Sequence, residues 1–249
     1  MKFISVKIKS LFVICMSVAV AGVFSQPAVR EVFMSGNRNI PVYSVERDDT
    51  KIALTFNCAW NDSDIDEILS LLDKYNAKCT FFVVGEWAEK YPDSLKKISD
   101  KGHEIGEHSY SHKDYTLLSY DEIKEDISKT AEVINKITDD FPELVRVPSG
   151  SYNNNAVDSI EKCGFVPVQW SVDSIDYGKS SCEEIYERVT SKTTPGDIIL
   201  MHNGTENTAI ALPRILDSLC GKYELVTVSE LLYKDDFYVD NSGKMRKKF

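Results

Sequence analysis

His108-Ser109-Tyr110-Ser111-His112 carries two of the four histidines in the chain, four residues apart. Neutral imidazole is the commonest protein ligand for zinc and similar metals, and two on one turn can grip a single ion. Taken alone, the pair reads first as two solvated histidines on a turn, because no Glu follows the first as in a metalloprotease helix. The other reactive side chains alter that reading. Asn57-Cys58, Arg146, Asp173 with Asp176, and His202 each fall where an apolar, β-rich run ends or just beyond it. Cys58 could ligate zinc as a thiolate or merely fill space. Arg146 and Asp176 are as readily partners in structural ion pairs.

The elements that must position these groups alternate in type. Lys51–Phe56, Lys78–Val84, Glu104–Gly106, Leu144–Arg146, Val166–Trp170, Asp197–Met201 and Glu224–Val228 read as strands. Between them lie helical stripes: Ile65, Ile68, Leu69 and Leu72; Pro92–Asp100; a run opened by Ser119 and Glu122 as a capping box; Ala156–Cys163; Cys182–Thr193; and Ala209–Leu219. Seven strands alternating with helices predict a parallel α/β sheet, closed as a barrel or open and doubly wound. In a barrel, all the reactive residues share the carboxyl-end face, where the active sites of such folds lie.

Composition bounds the function. The 249 residues suit one domain with appendages. Residues 1–25 read as a signal peptide or membrane anchor. Lys2, Lys7 and Lys9 precede an apolar run of about 14 residues from Leu11 to Phe24, which is short for a membrane span of ~20. Residues 8–25 could serve as the anchor. Either way the working domain is expected outside the cytoplasm, secreted or anchored. Residues 26–45 then read as a linker, 46–233 as the domain and 234–249 as a loose tail, with Lys244–Lys248 as its basic end. Loss of residues 1–25 removes three lysines and no acids, taking the formal charge from −10 to −13. Such a surface repels phosphate backbones, so no nucleic-acid partner is expected. Of six cysteines, Cys15 lies in the leader and five are scattered without a C-x-x-C pair, which argues against a full disulfide framework.

In their order, Thr55-Phe56-Asn57-Cys58, His108 to His112, Arg146-Val147-Pro148-Ser149-Gly150, Asp173-Ser174-Ile175-Asp176 and Leu200-Met201-His202 resemble the five motifs of polysaccharide deacetylases with a NodB homology domain (carbohydrate esterase family 4). Flanking stretches are similar to the sporulation-associated, PdaB-like branch. The resemblance covers roughly residues 40–233 and implies a distorted (β/α)7 barrel. It implies further that His108 and His112 hold a divalent metal, zinc above all, and that His202 is the general acid oriented by Asp176. Arg146 would position the catalytic carboxylate, and the Ser149 amide would face the oxyanion. Trp60, Tyr152, Asp173 and Leu200 would border the substrate. The implied reaction is removal of N-acetyl groups from cell-wall glycan, peptidoglycan or chitin-like, by a monomer that releases acetate.

This chain departs from that pattern. The family has two aspartates after Thr-Phe, a general base and a metal ligand, where this chain has Asn57 and Cys58. Asparagine cannot accept a proton at neutral pH. Asp64 or Cys58 is the candidate third ligand, and Asp62 or Asp64 could supply the missing carboxylate. Tyr177 stands where Trp is usual, and Val147 replaces a proline. The alternatives are therefore a metal-dependent N-deacetylase, a deacetylase-fold protein that binds metal or glycan without turnover, and a hydrolase of some other amide.

Overall fold

The structure, a computed structural model, describes residues 39–248. The expected leader at 1–25, and the linker up to residue 38, lie outside the described residues. Among the described residues no helix is long and apolar enough to cross a membrane.

The main sheet is parallel and is built around β2 (Lys51–Cys58), which follows β1 (Ser44–Val45). In chain order come β3 (Thr80–Val83), β4 (Glu104–Glu107), β5 (Leu144–Val145), β6 (Val166–Pro167), β7 (Val172–Asp173), β8 (Ile198–His202) and β9 (Glu224–Leu225). Their spatial order is β6-β5-β4-β3-β2-β8-β7, with β9 on β2. The sheet curls as a distorted barrel, and helices cover its outside: α1 (Ile65–Lys74), α2 (Gly85–Lys90), α3 (Pro92–Asp100), α4 (Tyr120–Thr138), α5 (Asn154–Lys162), α6 (Cys182–Lys192), α7 (Thr208–Cys220) and α8 (Val228–Leu231).

Alternation along β2 sorts its residues. Ile52, Leu54, Phe56 and Cys58 pack outward into the largest apolar cluster, with Ile65, Ile68, Leu69 and Leu72 of α1. Each such side chain contributes about 1.5–3 kcal/mol when fully buried. Thr55 and Asn57 face inward, where Arg146 reaches both. The capping box at Ser119 is present: Ser119 N–H donates to Glu122 Oε2 at 2.8 Å, and Glu122 N–H donates back to Ser119 Oγ at 3.4 Å.

Three expectations need correction. Glu224–Val228 is not one strand: β9 stops at Leu225, and Thr227 with Glu230 forms a capping box that opens α8. The loose tail at 234–249 is instead ordered as β10 (Phe237–Val239) and β11 (Lys244–Lys247), an antiparallel pair. The end of the expected linker is structural too, since β1 pairs in parallel with β11. Upstream of β1, Val42 bridges Val168 in parallel, while Ser44 bridges Asp197. Residues 39–45 thus form a strap along the barrel wall beside β6 and the start of β8.

Candidate active site

The carboxyl ends of the strands surround a cavity of about 290 Å³ lined by Asn57, Trp60, His108, His112, Ser149, Trp170, Tyr177, Leu200 and His202. His108 and Asn57 enter from the ends of β4 and β2. His202 and Leu200 come from β8, and Ser149 from the turn after β5. Ser149 adopts a left-handed conformation, φ 55°, that carries it around this turn.

The site has two halves. In the first, His108 Nδ1–H donates to the Arg146 carbonyl at 2.7 Å, so Nε2 keeps its lone pair toward the cavity side. That lone pair accepts from Asn57 Nδ2 at 3.2 Å. Asn57 Oδ1 accepts from Arg146 Nη1 at 2.9 Å. The amide therefore spans guanidinium and imidazole with both of its ends engaged. His112 lies edge-on to His108, with ring centroids 5.0 Å apart. Burial pushes the pKa of both imidazoles down, that of His108 furthest, keeping them neutral as metal ligation requires.

In the second half, Asp176 is buried and fully bonded. Oδ1 accepts from His202 Nδ1 at 2.8 Å, while Oδ2 accepts from His202 N–H at 2.7 Å and from Thr208 Oγ1 at 2.6 Å. These bonds fix the tautomer and direction of His202, leaving Nε2 toward the cavity. Trp60 stacks on this imidazole at 5.3 Å and Tyr177 meets it edge-on at 5.2 Å. Tyr177 and Trp60 are both half-exposed.

His108 keeps an Nε2 lone pair and His112 lies beside it, as two ligands of one divalent ion would, but a third protein donor is not assembled. Among the described residues no group of three or more His, Cys, Asp or Glu could hold a metal. Cys58 faces the outer core, opposite to Asn57, and desolvation raises its thiol pKa well above the ordinary value. Asp64 accepts from Gly204 N–H through both oxygens, at 2.9 and 2.8 Å, and does not line the cavity. Asp62 accepts from Ser94 Oγ at 2.7 Å and does not replace the base either.

Two expected substrate-border residues, Asp173 and Tyr152, do not line the cavity. Asp173 Oδ1 accepts from Ile175 N–H at 2.8 Å and shapes the turn that delivers Asp176. Tyr152 packs beside Tyr43, with ring centroids 6.5 Å apart. Sequence reasoning missed Trp170, which lines the cavity; its signal was its place at the end of the run Val166–Trp170 read as a strand, although β6 itself stops at Pro167. It also missed a buried brace behind the histidines. Tyr115 Oη lies 2.7 Å from Asp126 Oδ1 and 3.3 Å from Glu107 Oε1. Those two oxygens also accept from the Tyr110 and Ser109 amides, both at 2.8 Å.

The profile of the polysaccharide deacetylase family matches residues 44–168. A peptidoglycan-N-acetylglucosamine deacetylase of Bacillus cereus is 32% identical, over 76% of this chain and 92% of its own. The chain belongs to the polysaccharide deacetylase family. Another deacetylase of that name from Bacillus cereus is 37% identical over 61% of this chain. The chain spans about half the length of several curated relatives: 56% of that one and 43% of the PgdA deacetylase of Listeria monocytogenes. A solved carbohydrate esterase family 4 pseudoenzyme from Bacillus anthracis superposes with a TM-score of 0.75 and 30% identity, covering 85% of this chain and 73% of that one. A solved mutant described as a pseudoenzyme of this family with restored enzymatic activity is 32% identical, again with a TM-score of 0.75, over 79% of this chain and 72% of its own. Both share the curled parallel sheet expected for the family.

Proposed function

We propose that this chain is an exported N-deacetylase of cell-wall glycan whose turnover is weakened at the base position. The observation that carries it is the asymmetry of the site: His202 with Asp176 is complete, while an amide, Asn57, lies where Arg146 and His108 would flank a carboxylate. The substrate class is an N-acetylated amino sugar, as in peptidoglycan, in keeping with the names of the relatives. Export and a cell-wall-facing location rest on the leader-like layout of residues 1–25.

The acetamide would sit between Ser149 and His202, with the Ser149 amide facing the carbonyl oxygen and Trp60 and Tyr177 against the sugar. His202 Nε2 protonates the departing amine, and Asp176 stabilises the imidazolium and its orientation. His108 and His112 would hold the divalent metal, zinc above all, with water completing its shell; when bound, it polarises the carbonyl and lowers the pKa of water. Asn57 takes up no proton.

A second reading, glycan binding without turnover, is favoured by the Asn57–His108 hydrogen bond, which occupies the very lone pair a metal needs. Acetate release from peptidoglycan and from N-acetylglucosamine oligomers, with and without added zinc, separates the two. Slow, zinc-stimulated release is expected. Glycan retention with no release under either condition would overturn the enzymatic reading.

A further inference from the structure

Arg146 has no exposed surface, and among the described residues its hydrogen bonds reach no carboxylate. Its Nη1 donates to Thr55 Oγ1 and Asn57 Oδ1, both at 2.9 Å, and its Nη2 to the Gln169 carbonyl at 3.1 Å. All three acceptors are neutral. Among the described residues Nε finds no hydrogen-bond partner, and neither does either end of the neighbouring Gln169 side-chain amide. The face of Phe82, 3.8 Å from the guanidinium carbon, gives partial compensation. Burial lowers the pKa of this group, yet a guanidinium stays protonated in proteins.

The nearby carboxylates have other partners. Asp176 is bonded to His202 and Thr208, and Asp64 to Gly204. Glu107 points away from the barrel interior, into the brace with Tyr115, and desolvation raises its pKa toward the neutral acid. A buried, unpaired cation is costly, and an anion brought close to it relieves that cost. The accessible approach is the 290 Å³ cavity, from which Arg146 is separated by the Asn57 amide alone along that line of hydrogen bonds.

We infer that this cavity selects a carboxylate over a neutral acetamide, with Arg146 supplying the charge and Asn57 permitting it. The inference rests on reading the cavity as the deacetylase pocket, but not on turnover. The same chemistry is offered by free acetate and by the lactyl carboxylate of N-acetylmuramic acid. With an aspartate at position 57 the guanidinium would already be neutralised and the preference would vanish. Asn57 is thus a specificity-determining residue as well as a substituted base.

Binding to the full chain, stripped of metal with chelator, is measured calorimetrically with acetate and with acetamide, then with N-acetylmuramic acid and N-acetylglucosamine. Acetate should bind at least about tenfold more tightly than acetamide, as expected for a close charge in a partly buried site. Asn57→Asp, checked for an unchanged melting temperature, should erase that ratio. Preference for acetate alone assigns the site to released product. An added preference for N-acetylmuramic acid over N-acetylglucosamine extends it to the sugar carboxylate. Equal binding of acetate and acetamide by the wild type, or an unchanged ratio in Asn57→Asp, overturns the inference. A protein that prefers acetate yet releases none would leave it standing and remove only the enzymatic reading.

Discussion

Asn57 holds together two groups that an aspartate would hold differently. Its oxygen serves Arg146 as a carboxylate would, but its amide nitrogen meets the lone pair of His108. Metal capture must therefore break one hydrogen bond. The double variant His108→Ala, His112→Ala should lose its divalent ion by elemental analysis, whereas Cys58→Ser should keep it. Cobalt-substituted wild type should lack a thiolate charge-transfer band, because Cys58 faces the other side of β2. The sequence left Cys58 open as a ligand, because the family uses both adjacent positions; its packing in the outer core decides against it. The fate of Asp64 was not legible either: its capture by Gly204 joins loops 140 positions apart. His103 gives a further test. Burial lowers its pKa from 6.5 to about 4, and its Nδ1 accepts from the Cys79 amide. The unfolded chain therefore binds a proton first, so stability falls as pH drops from about 6.5 to about 4, by about 3 kcal/mol from this residue. Denaturant titrations across that range should show wild type losing its advantage over His103→Gln. A constant difference between the two would refute this.

At the scale of elements, the histidine turn is held from behind. Ser109 and His112 both have left-handed backbones, φ 67° and 58°, which side-chain-bearing residues adopt at a cost. The Glu107–Tyr115–Asp126 brace anchors the Ser109 and Tyr110 amides. Gly85 closes the other side, donating to the Ser109 carbonyl at 3.0 Å, and a Cβ there would meet the Tyr110 ring at 2.5 Å. Tyr115→Phe removes the single O–H that donates to buried Asp126 Oδ1 at 2.7 Å, and should cost about 1–3 kcal/mol by chemical denaturation. A cost near zero would show that the hydroxyl does not support the turn. The strands and helices were legible because their periodicity is strong, as in Ile65, Ile68, Leu69 and Leu72. The brace was not, because it joins β4, a loop and α4, and no local pattern marks such a meeting. Thr227 was misread for a related reason: a β-rich run overlaps its own helix cap.

For the whole molecule, both ends of the described chain bear on the barrel. The strap at residues 39–45 lies against its wall, and β11 is paired to the strap. Met245 of β11 is 1% exposed and packs with Val42, Val45 and Val168. Its sequence context, four basic residues around one methionine, conceals this because a lone apolar residue has no period. Met245→Ala should cost about 2–5 kcal/mol in thermal or denaturant unfolding, whereas a residue in a loose tail would cost nothing measurable. The alternation and the clustering of reactive groups at strand ends were readable from the sequence, but the count was not: the main sheet has eight strands, and β7 at Val172–Asp173, only two residues long, left no periodic trace. The role of the termini was not readable either, since it depends on contacts spanning nearly the whole domain.

The central claim, a complete acid half beside a silenced base half, is tested most directly by steady-state acetate release from wild type and Asn57→Asp at equal metal occupancy. Asparagine and aspartate are nearly the same size, and Arg146 Nη1 already lies 2.9 Å from Oδ1, so the variant needs no repacking. A general base contributes about 10²–10⁴-fold, or roughly 3–5 kcal/mol of barrier. Asn57→Asp is therefore predicted to raise the rate at least about tenfold over a slow wild type. A wild type as fast as the variant would contradict the claim, as would two equally inactive proteins.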